Sequence, residues 1–131
     1  MIFEETVVLS EPFDAALTRV KSALAAEGFG TLTEIDLQAT LAEKVGKEME
    51  PYVIVGACNP HLASQAIDAI PQVGVLLPCN VVVRQTEEGV VVEALDPGLM
   101  ATMTGNKDIE PTAAEARRLI NNALEALTAT T

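Results

Sequence analysis

The sequence predicts an α+β fold, a two-layer sandwich in which helices cover one face of a mostly antiparallel or mixed sheet of about five strands. Two observations support this class. Helix-like and strand-like apolar patterns alternate along the chain, and three of the helical segments carry apolar stripes that need a sheet to cover. Glu87-Glu88-Gly89 separates two apolar runs as a hairpin turn does, and a hairpin joins antiparallel strands.

The length and composition allow one hydrophobic core. The chain has 131 residues, of which 49% are hydrophobic, so we expect a single domain over residues 1–131 and no extended disorder. Only 3% of the residues are aromatic, and the core is therefore expected to be aliphatic.

The first strand and helix follow from the segment up to residue 28. Residues 2–9 end in an apolar run that predicts a strand. Ser10 is expected to cap the following helix, with Pro12 in its first turn, and Gly28 is expected to end it. The apolar residues at helical spacing are Phe13, Ala16, Leu17, Val20 and Leu24.

A second strand is predicted over residues 29–35, where side chains alternate in character. Asp36 is expected to cap a short helix that ends at Gly46. Leu37, Leu41 and Val45 would lie on one face of that helix.

Residues 52–58 are apolar at almost every position, which is typical of a central strand. Asn59 is expected to cap the next helix, with Pro60 as its first residue and Pro71 as its stop. The predicted buried stripe of this helix is Leu62, Ala63, Ala66, Ile67 and Ile70.

The last third of the chain begins with a predicted strand over residues 75–84. Pro78 interrupts it and marks an edge, a bulge or the true start of the strand. The hairpin leads into a strand over 90–95, and Asp96-Pro97 is expected to start a short helical turn. Residues 104–110 are predicted to be a polar mobile loop before a helix that begins at Pro111. The inner face of that helix would hold Ala113, Ala116, Ile120, Ala123, Leu124 and Leu127.

The charge and the apolar pattern limit the expected partners. A net charge of −11 gives the wrong sign of field for nucleic acid or for an anionic membrane surface. The first residues have no signal-peptide pattern and no apolar run could span a bilayer, so we expect a soluble cytoplasmic protein with reduced cysteines. Strands that are apolar on both faces favour a homodimer that buries the second face of the sheet.

Several motifs resemble the bacterial and archaeal family called domain of unknown function 302. They are Tyr52-x-Ile54-x-Gly56-Ala57-Cys58-Asn59-Pro60, then Gly74-Val75-Leu76-Leu77-Pro78-Cys79-Asn80-Val81-Val82-Val83, and then Asp96-Pro97. The resemblance covers nearly the whole chain. It implies a small α/β sandwich grouped with TATA-binding-protein-like folds, with no DNA binding implied and no assigned activity. His61 lies outside the shared pattern.

The candidate site is built on the mirrored tripeptides Cys58-Asn59-Pro60 and Pro78-Cys79-Asn80, which contain both cysteines of the chain. If Cys58 ends a strand and Asn59 caps the next helix, the thiol lies at a helix N-terminus, where the free N–H groups favour anions and a reactive thiolate. A strand-helix-strand path could bring Cys79 back beside it. Cys58 and Cys79 are therefore candidate catalytic residues.

Four interpretations of this site remain open. The two thiols could form a redox pair, or bind a metal ion together with His61, with Asp96 or water completing the ligand set. They could instead line a pocket for an organic ligand that also contacts Asn59, Asn80 and Asp96. Finally, both cysteines could be plain core residues and both asparagines plain caps.

Met100 and Met103 are interpreted as hydrophobic cover that could form a flexible lid, in preference to a pair of copper ligands. We expect a small-ligand-binding module; the alternatives are a thiol-dependent redox enzyme and a dimeric interaction domain without chemistry. The residues imply no particular cofactor.

Overall fold

Five strands form one antiparallel sheet in the computed structural model, which describes residues 6–129. The strands are β1 (Val7–Leu9), β2 (Gly30–Asp36), β3 (Tyr52–Cys58), β4 (Cys79–Thr86) and β5 (Gly89–Ala94), in the spatial order β1-β5-β4-β3-β2. Every neighbouring pair is antiparallel. The predicted α+β class is thus confirmed, and the sheet is antiparallel and not mixed.

Within residues 6–129, five α-helices and two short 3-10 helices connect and cover the strands. The α-helices are α1 (Phe13–Ala26), α2 (Leu37–Val45), α3 (Pro60–Ala69), α4 (Leu99–Thr104) and α5 (Glu110–Ala129). The 3-10 helices are Pro71–Leu76 and Lys107–Ile109. No helix in the described part of the chain is long and apolar enough to cross a bilayer.

The main core lies between one face of the sheet and the helices α1 and α5. Alternate residues of a strand point to the same face, and in β3 these are Val53, Val55 and Ala57, all buried. Val55 is paired with Val81 and Ala57 with Cys79, so β4 continues the same apolar layer. All six residues predicted for the inner face of the last helix are buried: Ala113, Ala116, Ile120, Ala123, Leu124 and Leu127.

A second, smaller cluster of buried residues adjoins this core. Its members are Ala66, Val73, Met100, Ile109 and Ala113. They come from α3, both 3-10 helices and the helices α4 and α5. This second cluster therefore joins five elements of the chain beside the connection from β3 to α3.

Two of the predicted helix caps form as expected. The side chain of Asp36 accepts a hydrogen bond from the Ala39 N–H, and that of Asn59 accepts one from the Leu62 N–H. Gly28, at φ +86°, ends α1 by donating its N–H to the Ala25 carbonyl. The next N–H, of Phe29, bonds to the Leu24 carbonyl, which completes a Schellman motif.

Some local predictions are wrong. Ser10 does not cap α1, because the helix begins only at Phe13 and has Pro12 at its N-cap position with no side-chain hydrogen bond. Residues 75–77 are not strand; Pro71 begins a 3-10 helix that holds residues 71–76, and the true strand starts after Pro78. Ile67 is exposed, so the stripe of α3 is narrower than predicted.

Other differences concern how far a predicted element extends or packs. The part of the first strand predicted over residues 2–5 lies outside the described residues. Helix α2 forms where predicted, but none of its residues is buried. The predicted loop over 104–110 contains a 3-10 helix, and Ile109 within it is fully buried.

Candidate functional site

The two cysteines lie at neighbouring strand ends. Cys58 is the last residue of β3, Cys79 is the first of β4, and Ala57 is paired directly with Cys79. Paired residues of antiparallel strands have Cα atoms about 5 Å apart, and each further residue adds about 3.4 Å along the strand. The Cα atoms of Cys58 and Cys79 are therefore about 6 Å apart. Both cysteines are free thiols.

Both thiol-bearing residues line one small cavity of about 20 Å³. Apart from the cysteines, its lining consists of Phe29, Ala57, Asn59, Leu62, Ala63, Ala66, Leu77, Met100, Thr112 and Ala116. These residues come from the main core and from the second cluster. The cavity thus occupies the junction of the two hydrophobic clusters, at the point where β3 turns into α3.

Cys79 is the buried member of the pair, with 6% of its surface exposed. Burial is the main cause and the nearby Cys58 the second cause that together raise the pKa of its thiol to about 11. Removal from water disfavours the charged thiolate, which explains the direction. Cys79 is therefore a neutral thiol at physiological pH.

Cys58 is half-buried and directly precedes the cap of α3. The Asn59 side chain accepts a hydrogen bond of 3.3 Å from the Leu62 N–H, which satisfies one of the free donors at this helix end. Asn59 also packs on Gly28, where an added Cβ would lie 2.9 Å from its Nδ2 atom. The end of α1 and the start of α3 are therefore packed against each other beside Cys58.

Three of the predicted ligand-binding residues, Cys58, Asn59 and Cys79, line this cavity, and two do not. Asn80 is exposed, and strand alternation places it on the sheet face opposite to Cys79. Asp96 accepts a hydrogen bond of 2.8 Å from the Gly98 N–H and lies 3.6 Å from the Arg117 guanidinium. It thus stabilises the turn before α4.

His61 is exposed in the first turn of α3 and does not line the cavity. Among residues 6–129, no group of three or more His, Cys, Asp or Glu side chains could hold a metal ion. Of these four residue types, the lining of the cavity contains only cysteines, namely Cys58 and Cys79.

Two residues of the lining are absent from the site that the sequence predicts. They are Met100, from α4, and Thr112, near the start of α5. Thr112 is buried and donates its hydroxyl to the Gln65 side chain at 3.2 Å, so it joins α5 to α3. No local pattern in the sequence places Met100 at the same cavity as the cysteines, because Met100 is distant from both in the sequence.

The arrangement can support sulfur chemistry but offers little else. Cys79, Met100 and the end of β3 at Cys58 line a cavity that is otherwise mostly apolar, and the lining contains no carboxylate or imidazole for general acid–base catalysis. Strand alternation places the Cys79 side chain on the sheet face of Ala57 and the Cys58 side chain on the opposite face. The thiols themselves can act as nucleophiles, as a redox pair or as soft ligands.

Comparisons with known proteins agree with this fold. A solved structure, that of the uncharacterized conserved protein DUF302 from Bacillus stearothermophilus, superposes with a TM-score of 0.87 at 27% sequence identity. The match covers 95% of this chain and 97% of that chain. A search of curated proteins found no match. The model of the family described as domain of unknown function DUF302 matches residues 5–127, and the chain therefore belongs to that family.

Proposed function

We propose that the chain is a small-ligand-binding module whose site is the two-thiol cavity between β3, β4 and α3. One observation carries this proposal: Cys58 and Cys79, which belong to different strands, line the same cavity at the junction of the two hydrophobic clusters. In the reducing cytoplasm expected from the sequence, both thiols would be available to a ligand.

The size of the cavity limits the ligand. Its volume of about 20 Å³ exceeds the roughly 10–15 Å³ that one water needs. Pockets for drug-sized organic ligands are about 300–1,000 Å³. An organic ligand, one of the interpretations that the sequence leaves open, would therefore have to displace side chains of the cover, such as Met100 and Leu77. We propose a ligand of one or two heavy atoms with affinity for sulfur.

Entry to the site can be tested with a thiol probe of matching size. Methyl methanethiosulfonate transfers a CH₃S group to a thiolate and releases methanesulfinate, which leaves a mixed disulfide two heavy atoms larger than the thiol. Applied to the folded protein at neutral pH, it should modify Cys58 before Cys79, because Cys58 is half-buried whereas Cys79 is buried and protonated. N-ethylmaleimide, which is much larger, should react more slowly at Cys58.

Intact-mass measurement with peptide mapping reports both reactions, and Cys58→Ala is the matched control that should abolish the early product. If both cysteines react together, and only at the rate of global unfolding measured in urea, the cavity is sealed core packing and the proposal is wrong.

A thiol-dependent redox enzyme is the second candidate, and the Cα separation of about 6 Å supports it, because disulfides usually span about 4.4–6.8 Å. Strand alternation places the two side chains on opposite faces of the sheet, so disulfide formation requires the end of β3 to rotate at Cys58. Oxidised glutathione would accept the two electrons, leaving a Cys58–Cys79 disulfide and two molecules of glutathione. Formation of this disulfide in the folded protein, monitored by intact mass and prevented in Cys58→Ser, supports the redox enzyme; persistence of both thiols excludes it.

A homodimer is the proposed quaternary state, and the exposure of β2 and α2 favours it. Every residue of β2 is exposed, including Leu32 at 66% and Ile35 at 44%. Val45 of α2 is 71% exposed. An edge strand with exposed apolar side chains is a ready surface for pairing with a second chain. Sedimentation equilibrium should give a dimer mass for wild type and a monomer mass for Ile35→Glu; a monomeric wild type contradicts the proposal.

A further inference from the structure

An open groove lies at the opposite end of β3 from the two-thiol cavity. Its volume is about 480 Å³, and it is formed by the start of α1, the end of β2, the start of α2 and the start of β3. It shares no lining residue with the two-thiol cavity. Its volume lies within the range of about 300–1,000 Å³ that is usual for small-molecule pockets. The groove is therefore large enough for an organic ligand.

The floor of the groove is apolar. Phe13 and Leu17 lie four residues apart on α1, so their side chains lie on the same face of that helix. Both are partly buried and pack against the main core. Val53 of β3 is buried on the core-facing side of the sheet and also lines the groove. These three side chains form an apolar surface against which the body of a ligand can pack.

Three carboxylates line the same groove. Asp14 lies in the first turn of α1. On β2, Asp36 is paired with Val53 and Glu34 with Val55, so both carboxylates lie on the sheet face that carries the apolar floor. Within residues 6–129, no lysine, arginine or histidine lines the groove. The groove thus combines an apolar floor with negative charge.

A single lysine neutralises part of this charge. Lys21 contacts Glu34 at 2.7 Å, and one oxygen of Asp36 accepts a hydrogen bond from the Ala39 N–H. A hydrogen bond from a neutral N–H leaves the charge of Asp36 in place. Three carboxylates against one ammonium group leave the groove negative, and the net charge of −11 adds to the attraction for a cation.

We infer that this groove is a binding site for a small organic cation, an ammonium group attached to an apolar body. The inference is independent of the two-thiol cavity. Within the described part of the chain, no three His, Cys, Asp or Glu side chains could hold a metal ion, so the carboxylates of the groove do not converge on one ion. An organic cation does not need convergent ligands, because its ammonium group pairs with carboxylates while its body packs on Phe13 and Leu17. The Phe13 ring adds a cation–π attraction where the ammonium group lies over its face.

The test is an NMR titration of the isotope-labelled full chain with phenethylammonium chloride at neutral pH and low salt. Phenethyl alcohol, which is neutral, and hydrocinnamate, which is anionic, have a similar phenyl body and serve as comparisons. The ammonium ligand should shift the amide signals of the groove, chiefly those of residues 13–17, 34–38 and 52–53. The alcohol should bind about tenfold more weakly because it forms no ion pairs, and hydrocinnamate should not bind.

Two neutral variants test the carboxylates. Asp14→Asn removes one charge at an exposed position, and Asp36→Asn removes another while asparagine keeps the cap of α2. Each should weaken the binding of phenethylammonium by about two- to fivefold, the usual contribution of an exposed ion pair. Glu87→Gln is the matched control, because it removes the same charge at the exposed hairpin between β4 and β5 and should bind as wild type does.

Signal shifts confined to the groove, together with weaker binding in both asparagine variants, support the inference. Shifts spread over the whole acidic surface, equal binding of the ammonium and the alcohol, or no binding at all overturn it. Unchanged affinity in both asparagine variants also overturns it, as does an equal loss in Glu87→Gln and Asp14→Asn, since net charge alone would then explain the binding. Cys58→Ala should bind phenethylammonium as wild type does, so this test and the thiol-probe test are independent.

Discussion

The buried thiol of Cys79 predicts a loss of stability at alkaline pH. Its pKa in the folded protein is about 11, against an ordinary value of 9.0. The folded state therefore holds the proton more tightly than the unfolded state does. The stabilisation is fully present below pH 9.0 and is lost as the pH rises through about 11. Since each pKa unit corresponds to about 1.36 kcal/mol, a difference of two units gives about 3 kcal/mol in total and about 1.4 kcal/mol by pH 10.

The assay is urea denaturation of wild type and Cys79→Ala at pH 7.5, 9 and 10.5, with a phosphine reductant and a metal chelator present. All other ionisable groups are common to both proteins, so their effect on stability cancels in the difference. The stability advantage of wild type over Cys79→Ala should shrink by about 1–2 kcal/mol between pH 7.5 and 10.5. Cys58→Ala is the matched control, because it keeps the buried thiol and should lose stability with pH as wild type does.

A stability difference between wild type and Cys79→Ala that stays constant up to pH 10.5 would refute this reasoning. It would mean that the Cys79 thiol ionises equally easily in the folded and unfolded states, as a thiol in contact with water does. A pH dependence in which Cys79→Ala loses as much stability as wild type would lead to the same conclusion.

Three further predictions concern residues that position the site, and urea denaturation tests each. Gly56→Ala should destabilise by about 1–3 kcal/mol, because the added Cβ would overlap the Thr33 hydroxyl and lie 2.8 Å from Pro78; an unchanged midpoint would contradict this. Asn59→Ala should cost about 0.5–2 kcal/mol through loss of the α3 cap, while Ser10→Ala, which removes no cap, should be nearly neutral; equal effects would argue against the assigned caps. Ile120→Ala should lower the free energy of unfolding by about 2–5 kcal/mol, because the side chain is fully buried in the main core. A loss below about 1 kcal/mol would show that Ile120 does not belong to that core.

Much of the secondary structure could be predicted because its signals are local. Strand β3 occupies the predicted residues 52–58, and its end is marked by the Asn59 cap and by Pro60 at the first helical position. Gly46 ends α2 in the left-handed conformation, as its position after an apolar stripe predicts. These signals depend on hydrogen bonds within three or four residues, so they do not require knowledge of the fold.

The errors occur where local preference and tertiary packing compete. The run Val75-Leu76-Leu77 fits a strand by composition, but Val75 and Leu76 end a 3-10 helix that begins at Pro71 and buries Val73 in the second cluster. Short apolar runs are ambiguous in this way, because periodicity over a few residues does not separate strand from helix. Helix α2 shows the opposite case: it forms as predicted and contacts β3, but none of its residues is buried and Val45 of its apolar stripe is exposed.

The sequence by itself determined the order of the elements, most of their limits, the aliphatic core and the two cysteines as the residues to inspect. Only the tertiary structure decided that Cys58 and Cys79 share one cavity, that Met100 and Thr112 complete it, and that Asn80, Asp96 and His61 lie elsewhere. The physical reason is the range of the interactions. Caps and turns are formed by neighbours in the chain, whereas the cavity depends on strand register and on the packing of α4 and α5 against α3, which join residues far apart in the sequence.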